Sequence, residues 1–361
     1  MNRVQIFDKA LKQLAITKKE ALYLYADAPL PDLIFVANEI RKIKHPGNSV
    51  GWIIDRNVNI TNVCVSQCLF CNFCRKKNDK DAYITTSEQY RQKIDELFSL
   101  GGHQLLLQGG MHPDLGLEFY MNLFKTLKDL YPELKLHALG PPEIVFISKK
   151  EKRSYSVILE KLLEAGLDSL PGAGAEILSD RVRKIISPAK CSTKEWLDVM
   201  REAHKLNLPT SATMMFGHIE TPEERIEHLL KIRKVQDEKP ENSYGFLSFI
   251  PWPFQHTGTR LNRKHHVVNT ISDNDYVRFI ALSRIVLNNI SNIQPSWLTV
   301  GVPLAQVCLH AGGNDFGSVM IEENVVSEAG ASHSINNNEM IKAIKEAGFE
   351  PKLRNQKFEY F

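Results

Sequence analysis

Residues 57–77, NVNITNVCVSQCLFCNFCRKK, join a strand-like run to a loop that carries four closely spaced cysteines. The spacing of Cys64, Cys68 and Cys71 is C-x3-C-x2-C, and Cys74 follows after two more residues. The rest of the chain holds only two isolated cysteines, so a second ligand pair is missing. The fold and the function of this chain must therefore account for a cysteine-rich loop directly after the first predicted strand.

Outward from this segment, a short apolar run, a turn and an amphipathic stretch repeat along the chain. The runs predict strands at residues 57–61, 104–108, 134–139, 168–170, 210–215 and 246–250, with weaker ones at 292–294 and 318–321. Strands that alternate with helices at a spacing of roughly 35 residues indicate βαβ units and a parallel sheet. Six clear units and two faint ones favour an α/β fold of the TIM-barrel type, a (β/α) barrel of six to eight parallel strands.

The boundaries of the predicted domain follow from helix and turn signals. Residues 1–50 predict a helical extension that ends in the turn HPGN, and residues 51–361 predict the barrel domain with its C-terminal segment. Capping boxes are predicted at Thr85 and Ser192. No G-x-G-x-x-G motif follows the first strand, which disfavours a dinucleotide-binding sheet.

Composition excludes several classes of function. The 361 residues carry 45 basic and 42 acidic side chains, a net charge of +3 that does not favour nucleic-acid binding. The N-terminus has no signal-peptide pattern, and no apolar run approaches the about 20 residues of a membrane span. We therefore expect a cytoplasmic protein, where clustered cysteines indicate metal or redox chemistry rather than disulfides.

The cysteine spacing favours an iron–sulfur cluster over zinc. Structural zinc sites draw ligands from two separated pairs, whereas each thiolate of a compact four-iron cluster binds a different iron. Three ligands on such a cluster leave one iron open, as a substrate-binding position requires. A zinc-bearing scaffold and an iron–sulfur electron carrier remain as alternatives at this stage.

The octapeptide CVSQCLFC, residues 64–71, resembles the C-x3-C-x-aromatic-C motif of the radical S-adenosylmethionine (SAM) superfamily, with Phe70 as the aromatic residue. The resemblance implies a [4Fe-4S] cluster on Cys64, Cys68 and Cys71, with the amino and carboxylate groups of SAM on the fourth iron. Cys74 is then a spare thiol, because a fourth ligand would block SAM.

The same resemblance implies that residues at the ends of later strands hold SAM. They are Gln108, Gly109, Gly110, Glu176, Arg181, Gly217 and Glu220. Met111 stands where the superfamily has an acid after the two glycines. Alternatives stay open, since Glu176 and Glu220 also precede helices, where acids favour the helix dipole.

Segments such as LPGAGAEILSDRVRKIISPAK (residues 170–190), FLSFIPWPFQ (residues 246–255) and NDFGSVMIEENVV (residues 314–326) resemble the menaquinone-biosynthesis branch of the superfamily, the dehypoxanthine futalosine cyclases. The resemblance implies an oxidoreductase of the futalosine pathway, supplied by an external one-electron donor. A 5′-deoxyadenosyl radical would take the ribose C4′ hydrogen of dehypoxanthine futalosine, and the sugar radical would add to the benzoate ring to give cyclic dehypoxanthinylfutalosinate. The aminofutalosine synthases and the deazaflavin-forming enzymes are the alternatives.

Catalytic groups beyond the cysteines are predicted from the same segments. His218, Asp315 and Glu322 are candidates to accept the proton released after cyclisation. His218 has a plain structural alternative, since a single histidine is more often a hydrogen-bonded part of the fold. Trp252 and Gln255 are candidates for the wall around a flat substrate ring.

Overall fold

The computed structural model describes residues 2–331 and 333–361. The strands are β1 Ser49–Ile53, β2 Asp55–Asn59, β3 Gln104–Gln108, β4 Lys135–Ala138, β5 Thr210–Phe216, β6 Phe246–Pro253, β7 Asn292–Ile293, β8 Asp315–Ser318 and β9 Glu350–Leu353. The helices are α1 Arg3–Leu11, α2 Lys18–Asp27, α3 Leu30–Lys44, α4 Ser87–Ser99, α5 Leu117–Leu130, α6 Pro141–Glu151, α7 Tyr155–Glu164, α8 Asp180–Ile186, α9 Thr193–Lys205, α10 Pro222–Asp237, α11 Arg260–His265, α12 Asp273–Val286, α13 Trp297–Val300, α14 Val302–His310 and α15 Asn337–Glu346. None of the helices in this part of the chain is long and apolar enough to cross a bilayer.

All the strand pairs are parallel, and they form three ladders in the orders β2-β3-β4, β5-β6-β7 and β8-β1-β9. Every residue of β2 and β5 is buried, as expected for strands covered on both faces. The helices between the strands supply the outer cover, with apolar faces such as that of α5 (Leu117, Tyr120, Phe124, Leu127) turned to the sheet. The strands and helices therefore form the (β/α) barrel that the sequence predicts, with a helical extension before it.

Single hydrogen bonds and bridges join the three ladders into a ring. Residues 169 and 170 bridge β4 to β5 through the parallel pairs His137 with Ser169 and Leu170 with Thr210. Between β7 and β8, the amide of Asn314 donates to the carbonyl of Ile293 at 3.1 Å. After β8, the Val319 amide donates to the Ile53 carbonyl at 3.1 Å, at the junction of β1 and β2. In this ring, β1 and β2 together occupy one position and residues 168–170 occupy another. The other six positions are those of β3 to β8, so the ring has eight positions.

The structure corrects several predicted boundaries. Residues 168–170 form isolated bridges rather than a strand, because so short a segment spans only one pair on each side. The last barrel strand is Asp315–Ser318 and not 318–321, since Met320 has a φ of +48° and turns the chain. The capping box at α4 uses Thr86 and Gln89, one residue after the predicted pair, whereas the one at Ser192 is confirmed.

The N-terminal extension consists of α1, α2 and α3, which pack on the outer helices of the barrel. The α3 residues Leu33 and Ala37 are completely buried. At α2, Arg225 of α10 donates to the Tyr25 hydroxyl at 2.6 Å. The division of the chain into an extension of residues 1–50 and a barrel domain of residues 51–361 stays a prediction.

Candidate active site

The cysteine loop begins where β2 ends and is fastened to its neighbours at several points. The Ile60 amide donates to the Gln108 carbonyl at 2.8 Å, and the Arg75 amide donates to the Asn62 carbonyl at 2.8 Å. The return of the chain at Arg75 is completed by the Cys64 amide, which donates to the Arg75 carbonyl at 3.0 Å. The loop is thus a bonded structure whose inner side faces the barrel mouth.

Cys64, Cys68 and Cys71 line one cavity of about 390 Å³ at the C-terminal ends of the strands, the end at which barrel enzymes place their chemistry. The Ser66 hydroxyl lies 3.0 Å from the Cys64 sulfur and 3.4 Å from the Cys68 sulfur. Burial raises the pKa of the Cys71 thiol to about 11. Metal ligation must therefore drive the deprotonation of this thiol.

Cys74 lines the same cavity as the other three thiols. It is partly buried, and its sulfur donates to the backbone carbonyl of Cys64 at 3.3 Å. A hydrogen bond between the Cys74 and Cys64 side chains lowers the pKa of the Cys64 thiol below its usual range, which favours the thiolate that binds metal. Cys74 thus has a backbone partner in the loop and acts on Cys64 through a hydrogen bond.

The glycine pair at the end of β3 is required by the cysteine loop itself. A Cβ atom on Gly110 would collide with the carbonyl oxygen of Val63, and the Gly110 amide donates to the Thr61 carbonyl at 2.8 Å. From the sequence, we attributed the absence of side chains at Gly109 and Gly110 to the close approach of a ligand. The structure shows that the cysteine loop makes the close approach, while Gln108, Gly109 and Gly110 still line the cavity.

A largely buried ion pair lies on the same side of the cavity as the thiols. Lys190 donates to the Glu176 carboxylate at 2.8 Å, and its ammonium lies 5.4 Å from the centre of the Phe70 ring. Burial alone lowers the pKa of Lys190, but the facing Cys68, Glu176 and Glu143 raise it above its ordinary value. Lys190 is therefore a cation inside the cavity.

Glu143 is a second acid of this wall and lies in the first turn of α6, after two prolines. It lines the cavity, and its buried Oε2 atom has no hydrogen-bond partner among the described protein atoms. Burial raises the pKa of Glu143 to about 7. An unpaired buried carboxylate oxygen is costly in the free protein and is available to a donor group of a ligand.

The opposite side of the mouth is aromatic and largely uncharged. Trp252 and Gln255 from β6 and its loop line it together with Trp297 and Met320. The Trp297 indole donates to the Ser318 carbonyl at 3.0 Å, which fixes the ring in the wall. Flat walls of this kind suit an aromatic ligand.

Comparison with known proteins identifies the family. The family model of the radical SAM superfamily matches residues 58–232, and the model of the CofH/MqnC C-terminal region matches residues 243–361. A Streptomyces coelicolor protein, "Cyclic dehypoxanthine futalosine synthase", is 41% identical over 98% of this chain and 88% of its own length. This chain belongs to the radical SAM superfamily.

Two further relatives and one solved structure complete the comparison. The cyclic dehypoxanthine futalosine synthase of Halalkalibacterium halodurans is 37% identical over 98% of this chain and 94% of the relative. A Methanothermobacter thermautotrophicus protein, "5-amino-6-(D-ribitylamino)uracil--L-tyrosine 4-hydroxyphenyl transferase", is 36% identical over 97% of this chain and 95% of the relative. The crystal structure of methylornithine synthase has a TM-score of 0.71 at 18% identity and covers 97% of this chain and 98% of its own, so it supports the fold.

As a member of the radical SAM superfamily, this enzyme uses a [4Fe-4S] cluster and SAM. The residues present fit both groups, because the three thiols of the motif and that of Cys74 line one cavity, in which a largely buried cation and an unpaired carboxylate oxygen also lie. In the described part of the chain, no three His, Cys, Asp or Glu side chains converge as ligands of a single metal ion. The identification as an enzyme replaces the alternatives of an electron carrier and a zinc scaffold.

Several residues predicted for the radical SAM site lie outside the cavity wall. Glu220 accepts from the Gly217 amide at 2.5 Å and from Arg225 at 2.7 Å, so it organises the turn after β5. The ring of His218 accepts from the Ile219 amide at 2.8 Å within the same turn. Arg181 is exposed on α8 and pairs with the carboxylate that begins α10.

The predicted proton acceptors are likewise held in ion pairs or turns. Asp315 is completely buried and binds Arg354 at 2.5 and 2.7 Å. Glu322 pairs with Arg56 at 3.0 Å and with Lys93. None of His218, Asp315 and Glu322 contributes to the cavity wall, and their proposed roles stay predictions.

The sequence argument missed Lys190, Glu143 and Arg354, which do line the cavity. Lys190 lies in the segment LPGAGAEILSDRVRKIISPAK, residues 170–190, which carried part of the family resemblance. A lysine in a family-like segment was therefore the available signal. Glu143 and Arg354 lie in segments with no such motif, and only the fold brings them to the mouth.

Proposed function

We propose that this radical SAM enzyme cyclises dehypoxanthine futalosine in the futalosine route to menaquinone. The observation that carries the proposal is its identity of 41% and 37%, over 98% of the chain, to two cyclic dehypoxanthine futalosine synthases. The aromatic side of the cavity supports it, because the substrate carries a benzoate ring.

In this proposal, Cys64, Cys68 and Cys71 hold the cluster, and SAM binds along Phe70, Gln108, Gly109, Gly110 and Glu176. When bound, the two cofactors supply the 5′-deoxyadenosyl radical that removes the ribose C4′ hydrogen. The protein excludes water from the radical and holds the sugar carbon beside the ring. An external one-electron donor supplies the electron.

The charged wall has a defined task in the proposal. Lys190 pairs with the carboxylate of SAM, and the free Oε2 of Glu143 accepts a hydrogen bond from its amino group. Both groups are buried, so each interaction is stronger than it would be in water. The other predicted residues then act on the site only through the backbone and ion pairs that they stabilise. They are Gly217, Glu220, His218, Asp315 and Arg181.

A second candidate is the 4-hydroxyphenyl transfer named for the archaeal relatives, which 36% identity over 97% of the chain supports. Its substrates, tyrosine and a ribityl-uracil, also combine an aromatic ring with a sugar-like chain. We place it second because the Streptomyces coelicolor futalosine synthase is 41% identical to this chain, against 36% to 39% for the archaeal transferases.

An anaerobic assay separates the candidates. The reduced enzyme is offered SAM with dehypoxanthine futalosine, with the aminofutalosine precursor, or with tyrosine and 5-amino-6-(D-ribitylamino)uracil. We expect consumption of dehypoxanthine futalosine and formation of 5′-deoxyadenosine in the first mixture alone. Turnover of either other mixture in its place would contradict the proposal. We also propose that the enzyme works in the cytoplasm, whose reducing conditions keep the cluster thiols free.

A further inference from the structure

The cysteine loop has an outward side that the proposed reaction does not use. A second depression of about 210 Å³ lies there, and Cys71 and Cys74 line both it and the active-site cavity. Only the loop itself therefore separates this outer surface from a ligand of the cluster. The basic side chains around the depression are Arg75, Lys76, Arg260 and Arg263.

Positive charge is concentrated at this surface. Residues 75–81 and 260–266 together carry seven basic and two acidic side chains, a net charge of +5. The whole chain carries +3, so the remainder has a net charge of −2. Of the two acids, Asp81 is paired with Arg75 at 2.5 Å. From neighbouring segments, Asp114 pairs with Lys77 and the charge of Glu328 acts on Arg75.

The basic segment of α11 is bonded directly to the cysteine loop. Arg260 donates to the Cys68 carbonyl at 3.1 Å, and the Leu261 amide donates to the Leu69 carbonyl at 2.8 Å. On the other side, the Asn72 side chain donates to the carbonyls of Thr257 at 3.0 Å and Glu328 at 2.7 Å. A partner bound to α11 would thus be held at a fixed distance from the loop that carries the cluster.

We propose that this surface, formed by Arg75, Lys76, Arg260 and Arg263 and called here the basic rim, docks a small acidic protein that carries a single transferable electron. The active-site cavity is taken by SAM and substrate, so the electron has its shortest free approach from the outer side of the loop. One electron leaves the donor, which is oxidised, and enters the cluster, which is reduced, and no bond is made or broken. This proposal depends on the proposed function in one respect, namely that the reaction requires an external electron donor.

The test measures reduction of the cluster without SAM or substrate, so it is independent of which reaction the enzyme catalyses. Reduced flavodoxin, a small acidic flavoprotein, is mixed with the oxidised holoenzyme in a stopped-flow instrument, and the visible absorbance of the cluster is followed. The variant is Lys76→Glu/Arg263→Glu. Both residues are exposed, and their side chains make no hydrogen bond or ion pair with the described residues. The control, Lys125→Glu/Lys345→Glu, makes the same charge change on the exposed faces of α5 and α15.

We expect the second-order rate constant with flavodoxin to fall at least about tenfold in the basic-rim variant at low salt, because charge steering accelerates association by this amount or more. The difference should shrink as salt is added. The control should stay within about twofold of the native enzyme. Reduction by dithionite, which needs no protein docking, should be the same in all three proteins and show that the cluster is intact.

The proposal is overturned if the basic-rim variant accepts electrons from flavodoxin at the native rate, or if the control variant loses as much. It is also overturned if the variant loses affinity for the polyanion heparin while its flavodoxin rate is unchanged, because the surface would then serve a nucleic-acid-like partner. If the substrate assay described above fails, each of these outcomes can still be measured, because cluster reduction is followed without SAM or substrate.

Discussion

The two sides of the cavity mouth differ in chemistry. The side formed by the loops after β2, β3, β4 and residues 168–170 carries three cluster thiols, two acids and a lysine. The side formed after β6, β7 and β8 carries mainly tryptophans, methionine and neutral amides, and the carboxylate of its acid Glu323 accepts from the backbone amides of Val325 and Val326. The first side falls within the match to the whole radical SAM superfamily, and the second within the match to its CofH/MqnC branch.

This difference indicates how one barrel combines a general cofactor with a particular substrate. The charged side binds groups that every relative shares, and the aromatic side selects the ring of the substrate. Changes on the charged side should therefore weaken or abolish SAM chemistry. Changes on the aromatic side should affect substrate binding while SAM chemistry continues.

The largest expected effect is at the thiols. Cys68→Ala should lose the cluster, since two thiolates leave it without a third protein anchor. Iron analysis and the visible spectrum of the anaerobically reconstituted protein measure this loss. Cys74→Ala is the matched control in the same loop and should keep at least about four-fifths of the native iron. Equal iron in the two variants would contradict the assignment of ligands.

The next effect is at the support of the loop. Gly110→Ala places a methyl group against the Val63 carbonyl, so β3 and the cysteine loop must separate. We expect a loss of at least about 2 kcal/mol in the free energy of unfolding, together with impaired cluster loading. Gly348→Ala is a control, because its Cβ meets no atom within 4 Å and only its φ of +84° is unfavourable. Native stability and native cluster loading in Gly110→Ala would contradict the importance of this close approach.

A smaller and pH-dependent effect is expected at Glu143. Burial raises its pKa to about 7 from an ordinary 4.5, so the folded apoprotein binds this proton more tightly than the unfolded chain and loses stability as pH rises from about 4.5 to 7. Glu143→Gln should therefore stabilise the apoprotein by up to about 3 kcal/mol at pH 8, and by less than about 1 kcal/mol at pH 5. Thermal unfolding at the two pH values measures the difference.

The same variant should bind SAM about tenfold more weakly, because an amide replaces the carboxylate that accepts a hydrogen bond from the amino group of SAM. Equilibrium binding of SAM to the reconstituted enzyme measures this change. The role of Glu143 would be contradicted if the stability difference between Glu143→Gln and the native apoprotein were independent of pH and the variant bound SAM with native affinity.

The smallest effect is expected on the aromatic side. Trp252→Leu should raise KM for the substrate about threefold to tenfold, as the loss of one aromatic contact predicts. Formation of 5′-deoxyadenosine in the absence of substrate should stay at its native rate, since the charged side is unchanged. A variant that lost SAM cleavage as well would show that the two sides do not act separately.

The fold was largely predictable, because buried parallel strands leave strong apolar runs in the sequence. The prediction missed β1, since Ser49–Ile53 is separated from β2 by a single residue and reads as one segment with it. It missed β9 because Glu350–Leu353 is short and polar. It predicted a strand at residues 168–170, where the chain forms only a single bridge on each side.

The site was predictable where the chemistry is contiguous in sequence. The cysteines and Phe70 form one octapeptide, and the glycine pair follows a clear strand. Glu220 and His218 belong to a motif as well, but their polar atoms are used by the turn that they form. Lys190 meets Glu176 across fourteen residues and Phe70 across the cavity, and such pairs are set by the fold rather than by local spacing.

The central claim is that three cysteines hold a four-iron cluster and leave the fourth iron to SAM. Mössbauer spectroscopy of the ⁵⁷Fe-loaded enzyme, recorded with and without SAM, tests it most directly. The account predicts that one iron in four changes its spectrum when SAM is added, in the native enzyme and in Cys74→Ala alike. A native spectrum in which all four irons are unaffected by SAM would show that a protein ligand already fills the fourth position.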